Sequence, residues 1–193
     1  MPVASQNPYA PNLSLGQYAN AGNGISGQLF QGGNQAVVAT ALSAGLPTTY
    51  TGGLVLANPP TSTVNVRLQK ATAIFIIAQT NVSVIGLGIG FSATALTGTL
   101  TAVASLPGNP GSSAVAQGLL YSSASITLPA APYLTRVIGL AETGAVTTGV
   151  ATGGLSLDLQ GSIILPPGGY AVFTSSAAGT ASSFIGSFVW VEA

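Results

Sequence analysis

The chain has 193 residues, with three Lys and Arg against three Asp and Glu, no Cys and no His. This composition excludes disulfides, thiolate chemistry, Cys-based metal centres and the commonest general base. Three cations are too few to neutralise a nucleic-acid backbone or to dock on an acidic membrane surface.

An apolar content of 47% is ample for a core, and the length fits one domain with an appendage. Zero net charge removes the usual barrier to association.

Residues 1–34 read as an extended N-terminal arm. Pro2, Pro8 and Pro11 recur, many Gly, Asn and Gln follow, and no apolar period runs through them. A floppy tail kept soluble by itself is usually charged, and this one is not. Tyr9, Leu13, Leu15, Tyr18, Leu29 and Phe30 are spaced like anchors for another surface, which favours a docked arm.

From residue 35 to 193 the pattern predicts a β-domain. Segments 35–42 and 49–58 are short apolar runs, and Asn58-Pro59-Pro60-Thr61 signals a turn. Val64, Val66 and Leu68 alternate with Asn65, Arg67 and Gln69, a half-exposed strand that runs on towards Ile77. Residues 71–91 form the most hydrophobic stretch. Gln79, Thr80 and Asn81 at its centre predict a turn between two strands rather than a membrane helix. Girdle aromatics for a membrane barrel are missing, and the first residues carry no signal-peptide pattern.

Val82–Phe91 is the next predicted strand, and Pro107–Gly111 a loop. Segment 119–128 follows, and Leu134, Arg136 and Ile138 are expected to share one strand face. Leu155, Leu157 and Leu159 alternate with Ser156, Asp158 and Gln160. Pro166-Pro167-Gly168-Gly169 suits a type II turn. In the last strand Phe184, Gly186, Phe188 and Trp190 take one face and Ile185, Val189 and Val191 the other. A strand apolar on both faces is central or meets a partner subunit. No segment shows a helical stripe. About eight or nine strands after residue 35 predict an all-β chain, a β-sandwich of the jelly-roll kind.

No catalytic, cofactor or metal site emerges. Gly86-Leu87-Gly88-Ile89-Gly90 lacks the third glycine and the helix of a dinucleotide fingerprint, so its glycines read as structural. A serine triad is impossible without His. Glu142, Asp158 and Glu192 are dispersed and are expected as solvated surface acids. Asp158 is expected to point outward or to an arginine. Arg67, Lys70 and Arg136 are either plain surface or pair with these acids to orient a subunit contact. The candidate subunit-interface residues are therefore Tyr9, Tyr18, Phe30, Arg67, Arg136, Phe188 and Trp190.

Segments 49–75, 92–99, 129–139, 157–173 and 183–193 together are similar to a group of small structural proteins of tailed bacteriophages. These carry an L-x-N-P turn, a DL-GS-I-LPPG-Y hairpin and a C-terminal G-SF-W-E strand, here with Val191 in place of an expected acid. The chain resembles the capsid cement (decoration) proteins. That resemblance implies a jelly-roll body, a homotrimer on the outer capsid surface of the virion, and contacts that clamp neighbouring major capsid protein subunits. It implies no enzyme activity, cofactor, nucleic acid or membrane. The alternative expectation is a tail fibre or receptor-binding spike head, with Tyr121, Tyr133, Tyr170 and Trp190 as its surface aromatics.

Overall fold

A computed structural model of the chain describes residues 28–34, 45–50, 53–75, 82–122, 126–141, 154–176 and 184–193. The expected strand at 35–42, the turn at 79–81, Glu142, Tyr9 and Tyr18 lie outside them.

The described residues form strands and turns without helix. In chain order the strands are β1 (Leu29–Gly33), β2 (Thr49–Tyr50), β3 (Leu54–Ala57), β4 (Val66–Phe75), β5 (Ser83–Phe91), β6 (Thr97–Gly98) and β7 (Ala102–Val103). They continue as β8 (Leu106–Pro107), β9 (Leu119–Ser122), β10 (Ile126–Thr127), β11 (Tyr133–Ala141), β12 (Leu155–Leu165), β13 (Gly169–Ser175) and β14 (Phe184–Glu192). Eight strands after residue 35 have four residues or more: β3, β4, β5, β9, β11, β12, β13 and β14.

Every pairing is antiparallel. One sheet has the order β12-β4-β14-β1-β8, a second β11-β5-β13-β3-β9-β7, and a small third β2-β10-β6. β1 lies within the segment expected as an arm. It pairs with β14 from Leu29↔Val191 to Gly33↔Ser187, so the folded body begins before residue 35.

The two larger sheets enclose one apolar core, a sandwich-like arrangement. Phe30, Val66, Leu68, Phe184, Phe188 and Trp190 come from the five-stranded sheet. Leu54, Leu56, Ile85, Leu87 and Phe173 come from the six-stranded one. Phe173 lies against Phe184 and Phe188 with ring centroids 5.2 and 4.7 Å apart, geometries that favour offset or edge contact.

A second, smaller core lies on the other face of the six-stranded sheet. Val55, Ala57, Tyr170 and Val172 meet Ile126 and Leu128 there. The three-stranded sheet and the segments beside it therefore act as a third layer. This explains why β3 and β13 are buried at every residue. Their even and odd side chains enter different cores, so both faces are largely apolar, with buried Thr174 and Ser175 at the end of β13.

The turn joining β12 to β13 is type II, as its prolines and glycines predict. Gly169 N donates to Pro166 O at 2.7 Å, and Gly168 has φ +91°. A Cβ on Gly168 would also fall well within 3.0 Å of the Ser92 carbonyl. Gly168→Ala is expected to cost about 2–3 kcal/mol, from positive φ and the clash together. Chemical denaturation of the variant checks this.

Asn58 ties this turn to the one before β4. Its N donates to Gly169 O and its carbonyl accepts from Gly168 N. Its side-chain Nδ2 donates to Val64 O and Leu165 O at 2.8 and 2.9 Å. The buried Oδ1 has no partner. An Asx turn would use the N–H two residues on, but Pro60 has none.

Candidate functional site

Among the described residues no cluster of three His, Cys, Asp or Glu exists that could hold a metal. The two described acidic side chains, Asp158 and Glu192, instead take separate structural positions. Asp158 is exposed and stands opposite Lys70 in the β12–β4 register, not opposite an arginine.

Glu192 is not the solvated acid its sequence position suggests. It is buried and accepts three N–H bonds: Gly118 N at 2.8 Å, Gln117 N at 3.0 Å and the Trp190 indole Nε1 at 3.0 Å. Glu192 lies opposite Val66 and two residues beyond Trp190. Its carboxylate thus stands at the core's end and pins the 105–118 segment across it. Three N–H donors satisfy a carboxylate without any cation.

The seven candidate interface residues separate. Tyr9 and Tyr18 lie outside the described residues. Phe30, Phe188 and Trp190 are buried inside the main core, and Phe30 stacks on Trp190 at 6.1 Å. β14 is the central strand of its sheet, between β4 and β1, which accounts for its apolar residues within one chain. Arg67 and Arg136 are exposed, on different sheets. The Arg136 Nη1 donates to the Thr135 carbonyl at 2.9 Å.

The aromatics expected on a receptor-binding surface divide as well. Tyr170 is buried and its hydroxyl donates to the Ala130 carbonyl. Tyr133 alone among them is strongly exposed, at 78%. Burial pushes the phenols of Tyr170 and Tyr121 above the ordinary 10.0. The folded state then holds those protons more tightly than the unfolded chain. Stability is expected to be level below about pH 10 and to fall above it, as the unfolded chain ionises first. Tyr170→Phe should flatten part of that alkaline slope in denaturation curves taken at pH 9 to 11.

The exposed apolar residues concentrate on β11, an edge strand paired only with β5 among the described strands. Leu134, Val137 and Leu140 are 49, 58 and 59% exposed. Two register shifts interrupt this pairing, between Leu134 and Arg136 and between Val137 and Gly139. They overturn the expectation that Leu134, Arg136 and Ile138 share a face. Leu134 lies over Gly86 on the outer side of the sheet, whereas Ile138 packs on the main core. A bulge inserts one residue and turns the following side chains over.

The same bulges align three residues that plain alternation would separate. Leu134 stands opposite Gly88, Val137 opposite Gly86 and Leu140 opposite Val84. Those β5 positions alternate with Ile85 and Leu87, which face the main core. The result is an apolar row on the outer face, beyond the area that the third layer covers.

The outer face of the five-stranded sheet is different in kind. An open depression of about 250 Å³ is lined there by Lys70, Thr72, Ser156 and Ser187 with apolar neighbours. Ser156, Thr72 and Ser187 are in cross-strand register, and the last two are hydrogen-bonded through their hydroxyls. The depression is hydroxyl-bearing, with Lys70 in its lining and Asp158 opposite Lys70 in register.

No family model matches the chain, and neither a curated protein nor a solved structure matches it.

Proposed function

We propose that this chain is a jelly-roll structural protein of a virion, a capsid cement protein that binds the outer head surface as a homo-oligomer and clamps neighbouring major capsid subunits. The observation that carries the reading is strand order. In an eight-stranded jelly roll, strands lettered B to I along the chain form one sheet B-I-D-G and another C-H-E-F. Lettering β1, β3, β4, β5, β11, β12, β13 and β14 as B to I gives β1-β14-β4-β12 and β3-β13-β5-β11, both of which occur in the two large sheets. This architecture is used by viral capsid and lectin domains.

Fold alone leaves function open, and the surface supplies the rest. A protein that works by contact needs broad faces that bury without stranding ions. Burying an unpaired ion costs several kcal/mol, and this chain has six charged residues in 193. Its exposed sheet faces carry hydroxyls, glycines and aliphatic groups.

Co-sedimentation of the purified chain with capsid shells lacking it tests the proposal. Saturable binding that raises the melting temperature of the shells is the expected result. Absence of binding, or binding to host-surface glycans instead, overturns it and favours the receptor-binding head. The arm is tested by deleting residues 1–27. A deletion through residue 34 would also remove β1 and damage the sheet. The shorter deletion is expected to leave the melting temperature of the body within a few degrees and to weaken shell binding at least tenfold.

A further inference from the structure

We propose that Leu134, Val137 and Leu140 form a contact between two copies of this chain, about a two-fold axis passing Val137. The inference rests on the reading that the chain self-associates, and names the surface that does so.

The row reads the same in both directions. Leucines stand opposite Gly88 and Val84, and valine opposite Gly86 between them. Same-face positions on a strand are spaced about 6.6–6.8 Å apart. A copy rotated by 180° about Val137 therefore brings Leu134 against Leu140 of the second copy and valine against valine. An isologous contact needs such self-complementarity.

Charge permits it. Arg136, the one charged residue of β11, stands opposite Leu87, whose side chain faces the core. The guanidinium thus leaves the strand on the side away from the row, and no like charges meet across the axis.

The edge of β11 is unsuited to the other occupant, an extended segment added as a further strand. Two bulges break its ladder, and bulges are a device that blocks edge pairing. What they leave is a side-chain surface for a preformed face. The three side chains are each about half exposed, and a contiguous exposed apolar patch marks an interaction site. That suits the centre of an interface with a polar rim. The contact joins two chains. If the chain also forms the three-fold ring that its resemblance implies, the same contact joins two rings.

Sedimentation equilibrium of the full chain and two variants tests this. The wild type is expected to associate with an even number of chains. Val137→Asp should halve the mass at the same concentration while keeping the far-ultraviolet spectrum of the folded chain. Because the chain has no cysteine, Val137→Cys supplies a single thiol on the proposed axis. A short bismaleimide should link it into covalent dimers in high yield, and a thiol at exposed Val115 should not link. An unchanged mass for Val137→Asp, or no dimer from Val137→Cys, overturns the contact. The cement proposal fails separately, on shell binding by the wild type.

Discussion

Glu192→Ala is expected to lower the unfolding free energy by about 3–5 kcal/mol. The carboxylate accepts from Gly118 N, Gln117 N and Trp190 Nε1. Hydrogen bonds to a charged group contribute about 1.5–3 kcal/mol each, and a stranded buried donor costs about 1–3. The effects do not sum, because water enters where the side chain was. Glu192→Gln tests the account more sharply. It keeps the shape and one acceptor oxygen but turns an NH2 towards at least one N–H. A loss of about 2 kcal/mol is expected, near half that of alanine. At this chain length about 2–4 °C of melting temperature is lost per kcal/mol. If glutamine proved neutral, packing rather than the three bonds would be what Glu192 provides.

Gly90→Ala is expected to cost about 3–4 kcal/mol, as overpacking against an immovable neighbour does at its upper end. A Cβ on Gly90 would fall within 3.0 Å of three atoms of the Tyr170 side chain. Tyr170 cannot swing away. It is buried in the second core, and its hydroxyl is held by Ala130. Tyr170→Ala alone should cost about 3–5 kcal/mol through the cavity it leaves. The double variant should cost little more than Tyr170→Ala, since the clash is then gone. Additive losses in that double-mutant cycle would show that Gly90 matters through its backbone and not through the ring above it.

The legible part of this fold was the part with a clean period or a turn signal. Leu155 to Leu159 and the Pro166–Gly169 turn were read from alternation and from Pro and Gly chemistry, and both appear in the structure; the alternation from Val64 to Leu68 appears as a strand from Val66 on. The five two-residue strands β2, β6, β7, β8 and β10 are too short to carry any period. Both faces of β3 and β13 are largely apolar because of a third layer, a tertiary cause that no local pattern reveals.

The candidate surface was less legible for a related reason. Leu134, Val137 and Leu140 are three residues apart, a spacing that suggests neither face of a strand. Two bulges in the β5 pairing bring them into line, and pairing is a property of two segments together. Phe188 and Trp190 erred in the opposite direction. Their apolar strand suggested a partner, but the neighbours it needed were β4 and β1 of the same chain. Glu192 looked like a terminal surface acid because two of its three donors, Gln117 and Gly118, lie 75 and 74 residues away in the sequence.

The pairing of β1 with β14 has a consequence for how the protein is made. β14 lies between β4 and β1, so the five-stranded sheet has no centre until residues 184–192 have left the ribosome. Everything synthesised earlier must wait with Phe30, Val66 and Leu68 uncovered. Folding of this body therefore waits for β14 and is governed by closure of a loop that spans nearly all of it. Such long-range β-topologies fold in milliseconds to seconds. During that interval the unpaired strands of one nascent chain can be captured by those of another, so the yield of native protein should fall as synthesis becomes faster or more crowded.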